Sequence, residues 1–259
     1  MATTMLTRSA AEPVNRVGHV SQPNDQCAMR TRVAAVAAGD ARVVSVNLAQ
    51  VIDTPPARRG SRRDVKPVKT GVHKRPASHP VRVHRLGLDG DTICDTANHG
   101  GLDQAVYAYA SEDTEWWQQH LDGELSFELG PGSLGENLTL RGIDVSNAVI
   151  GEQWAIGSAV LQVASPRIPC STFASYWNVE RLAKRFVAAG RPGAYLRVLT
   201  EGEVAAGDEV LVLERPSHGL TLAETFRALS GDRSLAAKLL TSPELPGSIR
   251  QAASNWLGG

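Results

Sequence analysis

The most chemically pointed segment of this chain is Pro166-Arg167-Ile168-Pro169-Cys170. Its two prolines fix the backbone on either side of Arg167. A cysteine on so rigid a turn, three residues from an arginine, has a route to a depressed thiol pKa, and the thiolate is the form that attacks electrophiles and binds soft metals. The plainer alternative is a buried, inert core cysteine. His99-Gly100-Gly101 comes second. Paired glycines let backbone amides approach an anion, and His99 can transfer protons near neutral pH, although a surface turn asks for the same glycines. Gly135-Glu136-Asn137 precedes a predicted strand, where a polar pair either caps a turn or reaches the amide edge of a ligand. Gly190 and Gly193, with Arg191 and Arg197, form a fourth cluster in which an arginine is available to clamp phosphate bidentately.

Other groups carry less. His73, His79 and His84 match no zinc spacing and read as surface residues. Asp89 and Asp91 flank Gly90, but no EF-hand ladder follows. The three cysteines, Cys27, Cys94 and Cys170, are odd in number and far apart, which argues against a disulfide framework, and without a CxxC a zinc ribbon is not expected. Such usage fits a reducing cytoplasm.

Composition narrows the partners. The chain has 259 residues, with Lys+Arg 27 balanced by Asp+Glu 27. Zero formal charge disfavours a protein held to nucleic acid by its overall charge. Hydrophobic residues at 42% and charged residues at 21% fit a globular chain. No apolar run approaches the roughly 18 residues of a membrane span. The charge is uneven, however: Arg58 to Arg85 carries ten basic residues against one acid, Asp64. This is either a solvated loop or the footprint of a local anionic ligand. Nucleic acid is disfavoured there too, because no Phe, Tyr or Trp interleaves the bases.

The elements that must position these residues are mostly short strands. Arg42 to Leu48 alternates and is β-branched, and Val81 to Val83 is a second strand. Ala105 to Tyr109 fits strand or helix. Glu112 to Leu121 is predicted as a helix capped by Ser111. Leu138–Leu140, Ala148–Ile150, Gln153–Ile156 and Ala159–Ala164 are closely spaced apolar runs, which points to an antiparallel barrel or sandwich. A helix over Val179–Ala189 ends at Gly190, and strands follow at Ala194–Thr200 and Glu209–Leu213. After Pro216 the periodicity becomes helical, with a capping box at Thr221 and Glu224. The expected layout is a disordered extension over 1–40, a β-rich domain over 41–215 and a three-helix unit over 216–259. Met29 is a candidate initiator.

In order and spacing these clusters resemble the MOSC domain, named for the C-terminal region of molybdenum cofactor sulfurases, and more closely its bacterial YiiM-type members. The matching segments are Gly71-Val72-His73-Lys74-Arg75-Pro76, Gly87-Leu88-Asp89-Gly90-Asp91, His99-Gly100-Gly101 with Ala105 and Tyr109, Gly135-Glu136-Asn137-Leu138-Thr139, Pro166-Arg167-Ile168-Pro169-Cys170 and Gly190-Arg191-Pro192-Gly193. The helical tail resembles the small domain that follows MOSC in YiiM-type proteins.

The resemblance implies a mainly β, barrel-like MOSC fold with some α structure, and it implies the molybdenum–pterin cofactor, with no pyridoxal phosphate. Cys170 is then the protein thiolate ligand of molybdenum and His99 a proton relay. Lys74, Arg75, Gly100, Gly101, Glu136, Asn137, Arg167 and Arg197 are the expected cofactor contacts. The implied activity is reduction of N-hydroxylated compounds such as hydroxylaminopurine-type base analogues, with electrons from a separate reductase, in the cytoplasm and without nucleic-acid or membrane partners. The alternative is a sulfur- or cofactor-carrier module holding persulfide on Cys170. Glu152 stands where the family usually has Asp, and Arg58, Arg59, Arg62 and Arg63 have no family counterpart.

Overall fold

The computed structural model describes residues 40–53 and 68–258. The N-terminal extension through residue 39, Met29 and Arg58–Arg63 therefore lie outside the described residues. The elements run β1 (Arg42–Ala49), β2 (Ile52–Asp53), β3 (Lys69–Thr70), β4 (Lys74–Pro76), β5 (Val81–His84), β6 (Gly87–Leu88), β7 (Val106–Ala110), α1 (Ser111–His120), β8 (Leu138–Arg141), β9 (Gln153–Ile156), β10 (Ala159–Pro166), α2 (Ser171–Trp177), α3 (Leu182–Ala189), β11 (Ala194–Thr200), β12 (Gly202–Val204), β13 (Val210–Glu214), α4 (Leu222–Leu229), α5 (Ala236–Leu239) and α6 (Gly247–Gly258).

Eight strands form one sheet in the order β13-β9-β10-β11-β7-β8-β1-β4. Its neighbours are antiparallel except β7 and β8, which pair in parallel. The sheet closes on itself. Val43 N–H donates to Asp208 O at 2.8 Å, Gly207 N–H to Val43 O at 2.8 Å, and Val210 N–H to Ala41 O at 2.8 Å. These bonds seat β13 on the first half of β1 and remove the edges a flat sheet would expose. The alternating residues Val43, Trp154, Ile156, Leu161, Val163, Leu196, Val210 and Val212 all fall in one buried cluster inside the barrel.

Strand β7 explains why its sequence fitted either strand or helix. It is buried on both faces, so it shows no two-residue alternation of polar and apolar types. Val106, Ala108 and Ala110 face the barrel core. Tyr107 and Tyr109 face a second, aromatic cluster with Trp117, Phe173, Trp177 and Phe186, which α1, α2 and α3 supply. The helices after Pro216 bury Leu222, Ala228, Leu239 and Ala253 in the barrel's own cluster, and Thr221 and Glu224 form the expected capping box.

Some boundaries differ from the sequence reading. Ser111 does not cap α1: β7 runs straight into the helix, Ala110 occupies the cap position, and the Ser111 hydroxyl donates to Glu112. Ala148–Ile150 forms a single bridge, Val149 to Thr221, instead of a strand. The helix expected from Val179 begins at Leu182, because Arg181 sits in the left-handed region at φ 54°. Helix α2 was not foreseen. Its Ser, Thr and aromatic content is weak for a helix, and Phe173 and Trp177, one turn apart, hold it by burial. Among the described residues no helix is long and apolar enough to cross a membrane.

Candidate functional site

Strand β10 ends at Pro166, and the Arg167–Pro169 segment delivers Cys170 to the start of α2. There the sulfur caps the helix, accepting the Phe173 N–H at 3.5 Å. Arg167 runs beneath this segment, almost fully buried. Its guanidinium donates to Leu134 O at 2.6 Å and lies 4.1 Å from the Phe173 ring centroid. Cys170 opens into a cavity of about 470 Å³, which His99, Gly100, Gln104, Asn137, Arg167 and Tyr195 help to line.

His99 closes a turn by donating its backbone N–H to Asp95 O at 3.0 Å, and its ring stands near enough to the Cys170 sulfur for each to act on the other's titration. Gly100 follows at φ +85°, a left-handed backbone conformation that favours glycine. Burial alone would push the Cys170 thiol up. Its interaction with His99, the Arg167 charge and the Phe173 N–H together outweigh it and bring the thiol down to about 7. The same interaction raises His99 above its ordinary value, against its burial and with help from Asp95. Alkylation of Cys170 by iodoacetamide, followed by peptide mapping to separate it from exposed Cys94, should therefore rise with pH through a midpoint near 7. His99→Ala should move that midpoint upward. An unshifted profile in the variant would refute the coupling.

The wall opposite is built on Asp91. Its carboxylate accepts both contacts of Lys74 Nζ, at 2.6 and 2.7 Å, the Asn137 amide at 2.8 Å and the Ala49 N–H at 2.7 Å. Lys74 thus lines the cavity as half of a buried ion pair. Burial holds its ammonium below the ordinary value while Asp91 opposes that shift. The positive charge counted in the sequence is correspondingly smaller at the site.

Several residues singled out in the sequence lie elsewhere. Arg75 is the exposed neighbour of buried Lys74 on β4 and is not among the cavity's lining residues. Gly101 is exposed. Glu136 is fully buried below the cavity, where it accepts the Gly132 N–H at 2.7 Å, the Leu134 N–H at 3.0 Å and the Thr139 hydroxyl at 2.7 Å. It shapes the 130–135 loop and reaches no ligand. Arg197 pairs with Asp103 and donates to Gln162. Arg191 pairs with Asp113, and the Tyr109 and Tyr107 hydroxyls donate to Arg191 O and Pro192 O at 2.9 and 3.0 Å. Gly193 is required there, since a Cβ would meet Tyr109 at 2.6 Å and Ala108 O at 2.7 Å. The Gly190–Gly193 turn is therefore a latch on β7, and its arginine is not free to clamp phosphate. Glu152 is likewise structural, accepting from Trp154 Nε1 at 3.0 Å and pairing with Arg215.

Sequence reasoning missed Gln104, Tyr107 and Tyr195, and noted Asp91 without placing it in the site. Only for Asp91 was there a signal: it lies beside Gly90 in a tight turn within a matching segment.

Residues 95–211 match the MOSC domain family, a span that includes His99, Gln104, Arg167 and Cys170 but stops short of Lys74 and Asp91. The uncharacterized protein YflK of Bacillus subtilis (strain 168) is 35% identical over 193 residues, 74% of this chain and 84% of YflK. A protein named Reductase from Gibberella moniliformis (strain M3125 / FGSC 7600) is 31% identical over 150 residues, which is 58% of this chain and 26% of the reductase. The crystal structure of YiiM from Geobacillus stearothermophilus superposes with a TM-score of 0.66 at 28% identity, covering 84% of this chain and 99% of that one.

Proposed function

This chain belongs to the MOSC domain family and is of its YiiM type, and we propose from that premise that it is a molybdenum-cofactor-dependent reductase of N-hydroxylated compounds. The observation that carries this reading is the Cys170 sulfur, standing in the 470 Å³ cavity beside His99 and Arg167. The donor set fits the cofactor: a soft thiolate suits a metal already ligated by dithiolene sulfur. The Gibberella relative named Reductase supports the reaction class.

Conversion of N–OH to N–H consumes two electrons and two protons and releases water; the bound cofactor supplies the electron pair. The chain's own residues do the rest. Cys170 Sγ is the group that would hold the metal. Phe173 N–H and His99 stabilise its anionic form before anything binds. The His99 ring nitrogen, held protonated more readily than usual, delivers a proton to the departing hydroxyl oxygen. The aromatic rings of Tyr107, Phe173 and Tyr195 and the buried Lys74–Asp91 pair line the space a ligand would fill. Electrons arrive from a separate reductase.

The test is to produce the full chain in a host that makes the cofactor. Molybdenum would be measured by mass spectrometry, pterin as its fluorescent oxidation product, and conversion of 6-hydroxylaminopurine to adenine with reduced viologen as donor. Stoichiometric metal with turnover is expected. A protein that leaves such a host without metal or pterin would overturn the reading, and full loading with no turnover would favour the carrier function instead.

A further inference from the structure

The chain has four tyrosines, and the hydroxyls of three are committed to the protein. Tyr107 donates to Pro192 O at 3.0 Å, Tyr109 donates to Arg191 O at 2.9 Å, and the Tyr176 hydroxyl meets His73 Nδ1 at 2.6 Å. The fourth, Tyr195, lines the cavity. Its hydroxyl finds no hydrogen-bonding partner among the described residues. It is not sealed away either: the side chain is only partly buried, and the oxygen keeps accessible surface.

Tyr195 is held from two sides. Its backbone lies in the barrel wall, opposite Ser165 of β10 and Tyr107 of β7. Its ring leans on the Tyr107 ring, with centroids 5.1 Å apart, and the bond to Pro192 fixes that second ring. The Arg167 guanidinium and the Cys170 sulfur both act on its titration, so the hydroxyl shares the sulfur's end of the cavity. Burial, aided by the Cys170 charge, outweighs Arg167 and holds the phenol above its ordinary value. The group is therefore neutral near pH 7, with a proton to donate and lone pairs to accept.

A fixed, accessible hydroxyl beside the reactive sulfur exchanges water for whatever polar atom a ligand brings there. The oxygen of an N–OH group is such an atom, and like a phenol it both donates and accepts. We propose that Tyr195 recognises the N-hydroxyl group of the substrate, hydrogen-bonding its oxygen and so favouring the substrate over the amine it becomes. This rests on the function proposed above and names the part of the substrate that the cavity reads. The proton delivered to the departing oxygen still comes from His99; Tyr195 holds that oxygen and stays protonated. Reduction removes the oxygen as water, so the amine product lacks the atom that Tyr195 grips.

The test is Tyr195→Phe, which removes one oxygen and keeps the ring against Tyr107. Four quantities are read on the chain purified from a host that makes the cofactor: melting temperature, molybdenum per chain, Kd for 6-hydroxylaminopurine and for adenine by calorimetry, and kcat/KM for 6-hydroxylaminopurine. Melting temperature and molybdenum should hold. Kd for 6-hydroxylaminopurine should weaken about tenfold while Kd for adenine changes less than about twofold, and kcat/KM should fall at least as far as the first. An unchanged Kd for 6-hydroxylaminopurine would overturn the proposal. So would an equal loss for both purines, which would leave Tyr195 a role in shape alone. A lowered melting temperature or molybdenum content would overturn it as well, by placing Tyr195 in the framework or on the cofactor. If wild type binds 6-hydroxylaminopurine in preference to adenine yet reduces none of it, the reductase reading fails, while the binding comparison still decides the role of Tyr195. Wild type that binds the two purines equally would sink the proposal whatever its turnover.

Discussion

Cys170→Ala is expected to strip the metal from the protein and abolish reduction of the N-hydroxylated substrate without unfolding the chain. The fold survives because Cys170 is only partly buried and contributes one weak cap to α2. Losing a helix cap costs about 0.5–2 kcal/mol, and Phe173 and Trp177 still anchor that helix in the aromatic cluster. The site fails because the side chain supplies the sulfur that acts on His99 and Arg167, whereas Cys94, which also lines the cavity, is exposed. Activity should fall by more than the ~10–100-fold that follows from losing a hydrogen-bonding partner of a metal ligand. Cys170→Ser should restore much of the cap and little of the metal, since a hydroxyl is a hard, neutral donor. Circular dichroism and thermal melting alongside metal analysis separate the two effects. Equal molybdenum and equal activity in wild type and Cys170→Ala would refute the ligand assignment.

Asp91→Ala is expected to be among the most destabilising single changes in the cavity wall. It leaves the Lys74 ammonium buried without its counter-charge and deprives the Ala49 N–H and the Asn137 amide of their acceptor. Breaking one side of a buried pair typically costs about 3–5 kcal/mol. Lys74→Met added to Asp91→Ala should recover part of that loss, because the stranded charge goes with it. Full recovery is not expected, since the two N–H donors remain unsatisfied. Urea unfolding of the cofactor-free chain measures both variants. A loss below about 1 kcal/mol for Asp91→Ala would place this pair with ordinary surface ion pairs.

Much of the framework was legible along the chain. β-branched alternation located β1, and short apolar runs between turn residues located β9, β10 and β11, to within a residue or two, while Thr221 with Glu224 announced the start of α4. These are short-range signals, decided within a few residues. Strand β7 and helix α2 were less legible because burial on several sides overrides local propensity there.

The chemistry divided along the same line. The residue types and order of Pro166–Cys170 and His99–Gly101 were enough to nominate a thiolate and a proton carrier, because a proline-fixed turn and a glycine pair are local devices. Which charges remain for a ligand was settled only by the fold. Lys74 meets Asp91 across 17 positions, Arg191 meets Asp113 across 78, and Arg197 meets Asp103 across 94. Each pairing depends on strand register and on how the connecting segments pack against the sheet, and neither is written in local spacing. The pairing of β10 with β11 and of β11 with β7 likewise brings Cys170 and His99 to one cavity. Sequence alone thus determined which reactive groups the protein owns. Tertiary structure decided which of them are already neutralised by one another and which still await a partner, because an ion pair or hydrogen bond exists only where folding sets both halves within about 3 Å.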